Sequence, residues 1–74
     1  DRLGRTGEAI ASVERALALR PDFDLAWETL GSLRRANGEA DAARQAFARA
    51  LQLLPPGPRA DRLRRWLAEL DADR

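Results

Sequence analysis

Shifted by 34 residues, this chain matches itself. Gly4 lands on Gly38, Ala9 on Ala43, Arg15 on Arg49, Ala16 on Ala50, Leu17 on Leu51, Leu19 on Leu53 and Pro21 on Pro55. Val13 meets Phe47, apolar on apolar. The coinciding residues are small side chains and terminators, which decide how closely helices approach and where they stop. A period between about 20 and 50 residues points to a stacked array, because one unit cannot bury both of its faces alone. At 74 residues the chain makes one small domain with little more than two periods.

The units are helical. Ala and Leu dominate, Tyr is absent, and Thr6, Ile10, Val13 and Thr29 are the whole β-branched complement. The spacing predicts a polar lead-in over Asp1 to Gly7 and a first helix over Gly7 to Arg20. Its apolar residues Ala9, Ile10, Val13, Ala16 and Leu17 follow the 3.6-residue period. Thr6 is its expected cap, Glu8 and Arg20 suit its dipole, and Pro21 stops it. A second helix is expected over Leu25 to Asn37, capped by Asp22 or Asp24 and ended by Asn37-Gly38. A third runs from about Asp41 to Leu53, with Ala43, Ala46, Phe47, Ala50, Leu51 and Leu54 inward and Glu39 and Asp41 at its start. Pro55-Pro56-Gly57-Pro58 is a firm break. A fourth helix follows from about Arg59 to Ala72, apolar only along Leu63, Trp66, Leu67 and Leu70. Asp61 is expected to pair with Arg65 on it, and Glu69 to face Asp73 unfavourably.

Composition narrows the chemistry. With neither Cys nor His there is no disulfide and no ordinary zinc site. Stability therefore falls to tight helix packing, to a partner, or to further chain; the opening at Asp1 without Met is expected to mark a fragment. No run of about 18 apolar residues and no signal peptide is visible, which makes a cytoplasmic location the default expectation. The net charge is only +1 despite a pI near 9.2. All thirteen basic residues are Arg, so almost nothing titrates between the carboxylates and Arg.

Trp27-x-x-Leu30-Gly31, Ala43-x-x-x-Phe47 and Pro55 stand at the spacing of a known motif. On these residues the chain resembles the tetratricopeptide repeat family. The resemblance implies an all-α fold of four helices, paired as antiparallel hairpins in a right-handed superhelical array. Residues 1–23 then form the second helix of a truncated repeat, 24–57 a complete repeat, and 58–74 a C-terminal capping helix that solvates the end of the stack. Gly31, Ala43 and Ala50 let helix axes approach, and Trp27, Leu30 and Phe47 fill the space beside them. One position departs: the family's aromatic after Leu-Gly is Arg34 here, expected to lay its stem over Trp27 with its head in water.

The resemblance implies a protein–protein interaction or scaffold module that binds a protein or peptide partner without chemistry of its own. Its groove would be lined by Leu25, Glu28, Ser32 and Arg35 on the second helix. The family's clamp for a C-terminal carboxylate, built from Lys and Asn, is absent, since Glu28 and Ser32 occupy matching places. Mixed-charge or extended-peptide contacts are expected instead. On the first helix, Ile10, Val13 and Leu17 are expected to be left open, for a second copy or for upstream repeats to cover.

Other classes have little to stand on. Thr6, Ser12, Thr29 and Ser32 are the only hydroxyl nucleophiles, and no His or Lys is present to activate them. Asp22 with Asp24 and Glu39 with Asp41 sit at helix starts, where capping is the ordinary role of a carboxylate. No phosphate loop, calcium loop, cofactor site or metal site is visible. Arg59, Arg62, Arg64 and Arg65 gather on the fourth helix, but Asp61, Glu69, Asp71 and Asp73 lie among them and no aromatic platform is interleaved, which reads as a solvated face rather than a nucleic-acid site. The Asn37-Gly38 hairpin offers only Arg44, Gln45 and Arg49 outward, a thin reader of DNA. Trp27 and Trp66 are expected to pack in the core, Trp66 with some exposure. A structural or oligomerising segment of a larger protein is the alternative reading, and a helical nucleic-acid binder a further one.

Overall fold

Why the chain turns where it does is a matter of a few residues. In the computed structural model, residues 2–72 are described, with side chains over residues 4–72. They form α1 (Arg2–Leu19), α2 (Asp24–Ala36), α3 (Ala40–Leu53) and α4 (Pro58–Ala72), with no strand among the described residues. The repeat carries into the structure in register. The ends of α1 and α3, Leu19 and Leu53, and the starts of α2 and α4, Asp24 and Pro58, are each 34 residues apart.

At the end of α2 the Gly38 φ of 79° is the left-handed turn that glycine reaches cheaply. The Glu39 N–H donates to the Arg34 carbonyl at 2.9 Å and the Gly38 N–H to Arg35 at 3.0 Å, the paired bonds of a Schellman end. Pro58 opens α4 at the first helical position, where its missing N–H has no partner to lose.

α1 corrects the expected lead-in. It starts at Arg2 and runs straight through Gly4 and Gly7, so Thr6 lies inside the helix rather than capping it, and Glu8 falls outside its first turn. Glycine permits a turn without demanding one. Gly4 follows Leu3, whereas its counterpart Gly38 follows Asn37, a residue that favours turns. The expected carboxylate caps are corrected too. Phe23 and Glu39 hold the cap positions of α2 and α3, and neither helix has a side-chain cap bond. Asp24 and Glu39 are engaged by arginines instead. On α4, Asp61 pairs with Arg64 at 3.0 Å, not with the expected Arg65. Asp73 lies outside the described residues.

The Cα extents of 35 × 31 × 16 Å describe a slab two helices deep at the usual spacing of about 8–10 Å. One cluster joins Ile10 and Leu17 of α1 to Ala26 and Leu30 of α2 and Ala46 of α3. The other joins Ala43, Phe47 and Ala50 of α3 to Leu63 and Leu70 of α4. Trp27 borders both, and its indole N–H donates to the Pro21 carbonyl at 2.8 Å, tying the α1–α2 connector down. Phe47 and Leu63 are wholly enclosed. A Cβ on Gly31 would stand 2.5 Å from the Phe47 ring, closer than carbon atoms tolerate.

Ile10 and Leu17 are therefore not an open face. They are 6% and 8% exposed, turned onto α2 of the same chain. The apolar stripe of α1 divides: Ile10 and Leu17 point inward, while Ala9, Val13 and Ala16 are only half-buried.

Two glycines predict opposite outcomes in thermal melts. Gly31→Ala drives a methyl into Phe47 and lowers stability by about 1–3 kcal/mol. Gly7→Ala has open space around its Cβ within a helix and raises stability by about 0.5–1 kcal/mol.

Candidate interaction surface

The four groove residues on α2 acquire a counterpart on α4. A shift of 34 residues carries Leu25, Glu28, Ser32 and Arg35 onto Arg59, Arg62, Trp66 and Glu69. In the structure the two stripes are bonded to each other. Arg59 donates to Asp24 at 3.0 Å and to Glu28 at 3.2 Å, and Arg62 reaches Glu28 at 3.4 Å. Arg35 comes within 3.9 Å of Glu69. Two guanidinium groups lie over the Trp66 ring, Arg35 at 5.4 Å and Arg62 at 5.3 Å from its centroid, each within cation–π range. Underneath, Trp66 meets Phe47 with ring centroids 5.2 Å apart.

The stripe residues differ in freedom. The Glu28 side chain is 14% exposed, held by two arginines of α4. Leu25 is 49% exposed and Ser32 is half-buried. Arg35 is itself exposed, with its guanidinium over both Trp66 and Phe47. The α4 half of this surface was missed in sequence; the 34-residue shift of the four α2 positions would have found it. Carboxylate contacts from Glu28 and Asp24 hold the Arg59 guanidinium pKa above its ordinary value.

Arg34 does not leave its head to water. It bonds Glu39 at 2.9 Å and Glu14 of α1 at 3.2 Å, joining α1 and α2 to the α2–α3 turn where the family carries an aromatic. The Arg34 bond, followed by one from Asn37, holds the Glu39 carboxyl below its usual range. On the far side Arg44 joins Asp41 at 2.7 Å to Asp71 of α4 at 3.2 Å. Three of the four arginines gathered on α4 face carboxylates of their own chain, Arg59 and Arg62 across to α2 and Arg64 to Asp61. No group of three or more metal-ligating side chains forms among the described residues, and no described helix is long and apolar enough to cross a membrane.

The Arg34–Glu39 pair sets a pH dependence with a definite sign. A depressed carboxyl pKa stabilises the fold above the unfolded value of about 4.3, and that share is lost as pH falls through the folded value. The melting-temperature gap between the wild type and Arg34→Met is therefore expected to be widest near neutral pH and to narrow below about pH 4.3. A gap constant down to pH 3 would assign the effect of Arg34 to packing.

Comparison with curated proteins and with solved structures finds no match. A family model does match: that of the tetratricopeptide repeat, over residues 2–67. That family typically serves as a non-enzymatic scaffold for protein–protein interaction. With the motif residues, the 34-residue register of the helix ends and this match over most of its length, the chain belongs to the tetratricopeptide repeat family.

Proposed function

We propose that this chain is a scaffold module that binds a protein or peptide partner on the paired stripes of α2 and α4. The observation that carries the reading is the mutual bracing of those stripes. Glu28 is clamped by Arg59 and Arg62, and Trp66 carries both Arg35 and Arg62 over its ring. Side chains ordered before a partner arrives reduce the entropy lost on association. Leu25 and Ser32 supply contact positions beside this braced frame, and Trp66 supplies aromatic surface of the kind enriched at interfaces. Among the named charged side chains of the two stripes, Arg35, Arg59 and Arg62 stand against Glu28 and Glu69, with Asp24 alongside. The balance favours an extended segment of mixed charge over a strongly acidic or basic one.

α4 serves in this reading as the capping helix of the stack, since its exposed residues Asp61, Arg62, Arg64, Arg65, Glu69 and Asp71 are charged. The engagement of Arg59, Arg62 and Arg64 with carboxylates of the same chain supports a protein partner over a phosphate backbone.

Selection from a displayed library of extended peptides tests the groove. Bound peptides are expected to change Trp66 fluorescence, read in a Trp27→Phe background. Ser32→Arg is expected to weaken them about tenfold, or 1.4 kcal/mol, with the melting temperature unchanged. Peptides that bind Ser32→Arg as tightly as the parent chain would place recognition elsewhere.

A further inference from the structure

Asn37 is the only asparagine in the chain, and a glycine follows it. That pair carries a chemistry of its own. With no side chain on the following residue, its backbone nitrogen can reach the asparagine side-chain carbonyl carbon and close a five-membered ring. A Cβ added to Gly38 would meet nothing within 4 Å, and both residues are exposed, so water and base have access. A shift of 34 residues puts Leu3 and Gly4 at these places, so the reactive pair occurs at one turn of the repeat and not at its equivalent.

The folded turn holds the pair out of reaction geometry in two ways. Ring closure requires the Gly38 nitrogen to eclipse the Asn37 Cβ about the Cα–C bond. The Asn37 ψ is 6°, so the Gly38 nitrogen eclipses the Asn37 backbone nitrogen instead, and the tetrahedral Cα sets Cβ a third of a turn away. The attack also requires the Gly38 amide to lose its proton, and that N–H is donated to the Arg35 carbonyl at 3.0 Å. Rotating ψ to the reactive value swings this N–H off Arg35 and carries the Glu39 N–H off the Arg34 carbonyl, now 2.9 Å away. Both bonds of the Schellman end must break before the ring can form.

We propose that Asn37-Gly38 is a self-modification site latched by the end of α2: it deamidates when that turn opens, and the product loosens the brace between α1 and the α2–α3 turn. The Gly38 nitrogen, its proton lost to solvent base, bonds to the Asn37 Cγ. The Cγ–Nδ2 bond breaks, and Nδ2 takes up a proton and leaves as ammonia. Water then adds to one of the two carbonyl carbons of the succinimide and the bond from that carbon to the Gly38 nitrogen breaks. Opening at Cγ gives aspartate; opening at the main-chain carbon gives isoaspartate. No oxidant or reductant takes part.

Either product works against the turn. The new carboxylate stands at the C-terminal end of α2, where the helix dipole disfavours negative charge. It also stands beside Glu39, to which the Asn37 side chain now supplies a hydrogen bond. Repulsion there acts on the carboxylate that Arg34 joins to Glu14 of α1. Isoaspartate adds a carbon to the main chain and throws the Gly38 and Glu39 N–H groups out of register with their carbonyls. Arg35 lies in the same last turn of α2, so the loosening reaches the α2–α4 stripe.

Conversion removes one unit from the formal net charge of +1, so ion exchange separates the product. The full chain is incubated at mildly alkaline pH, folded and in guanidinium chloride, and Asn37 is followed by ion exchange and peptide mass mapping. The unfolded chain is expected to yield aspartate and isoaspartate. The folded chain is expected to convert at least about tenfold more slowly, in proportion to the time its turn stands open. The isolated product is expected to melt below the parent chain. Asn37→Asp is expected to lower the melting temperature as well, and Glu39→Gln in the same chain to remove most of that drop. Equal rates in the folded and unfolded chain overturn the proposal, as does an unfolded chain that does not convert. A product that melts with the parent overturns it too, and so does an Asn37→Asp drop that is unchanged once Glu39 is neutral.

Discussion

The contact of the Phe47 ring with the bare backbone of Gly31 sets the geometry of everything around it. Phe47 is completely enclosed, with Gly31 of α2 on one side and Leu63 and Trp66 of α4 in the same cluster. Any side chain at residue 31 would push α2 away from α3 and open the layer that α4 also packs on. Because α4 rests on that layer, the placement of Trp66, and with it the arginine pair over its ring, follows from a glycine two helices away. The candidate surface and the core share the Phe47–Trp66 contact.

Around this apolar centre the chain uses arginine as a strut. Arg34 joins α1 to the α2–α3 turn, Arg59 joins α4 to α2, and Arg44 joins α3 to α4. Each pair is at least partly exposed, and such pairs are worth about 0–1 kcal/mol each. Their value lies in orientation. A planar guanidinium with several donors holds two carboxylates in fixed relation, which a lysine point charge does not. An arginine-only composition with near-balanced charge is therefore consistent with internal cross-bracing, and it explains why a pI near 9.2 is no guide to a nucleic-acid partner.

The α2–α4 stripes and the cleft between α1 and α2 differ in character because of where they lie in the repeat. The α2–α4 stripes are rich in charge and braced by contacts between the two helices. The α1–α2 cleft is apolar, and the α1 positions beside it are less fully covered than their equivalents on α3. Both lie within one family architecture, in which each unit of the stack contacts only its neighbours.

Local signals decided what was legible in the chain itself. Pro21, Asn37-Gly38 and the Pro55–Pro58 run act through their own backbone, so helix ends near them, the period of 34 and the all-α class were determined before any packing. Matters that depend on a distant partner were settled only in three dimensions. Gly4 and Gly7 stayed helical because neither forces a turn. Asp24 and Glu39 turned to arginines rather than to the helix N–H groups beside them. Ile10 and Leu17 were taken up by α2, while Val13 and Ala16 on the adjoining stripe were left half-covered, because a periodic apolar pattern marks a helix face without saying which neighbour covers which edge. Backbone termination is written residue by residue; the choice among competing side-chain partners is made by packing.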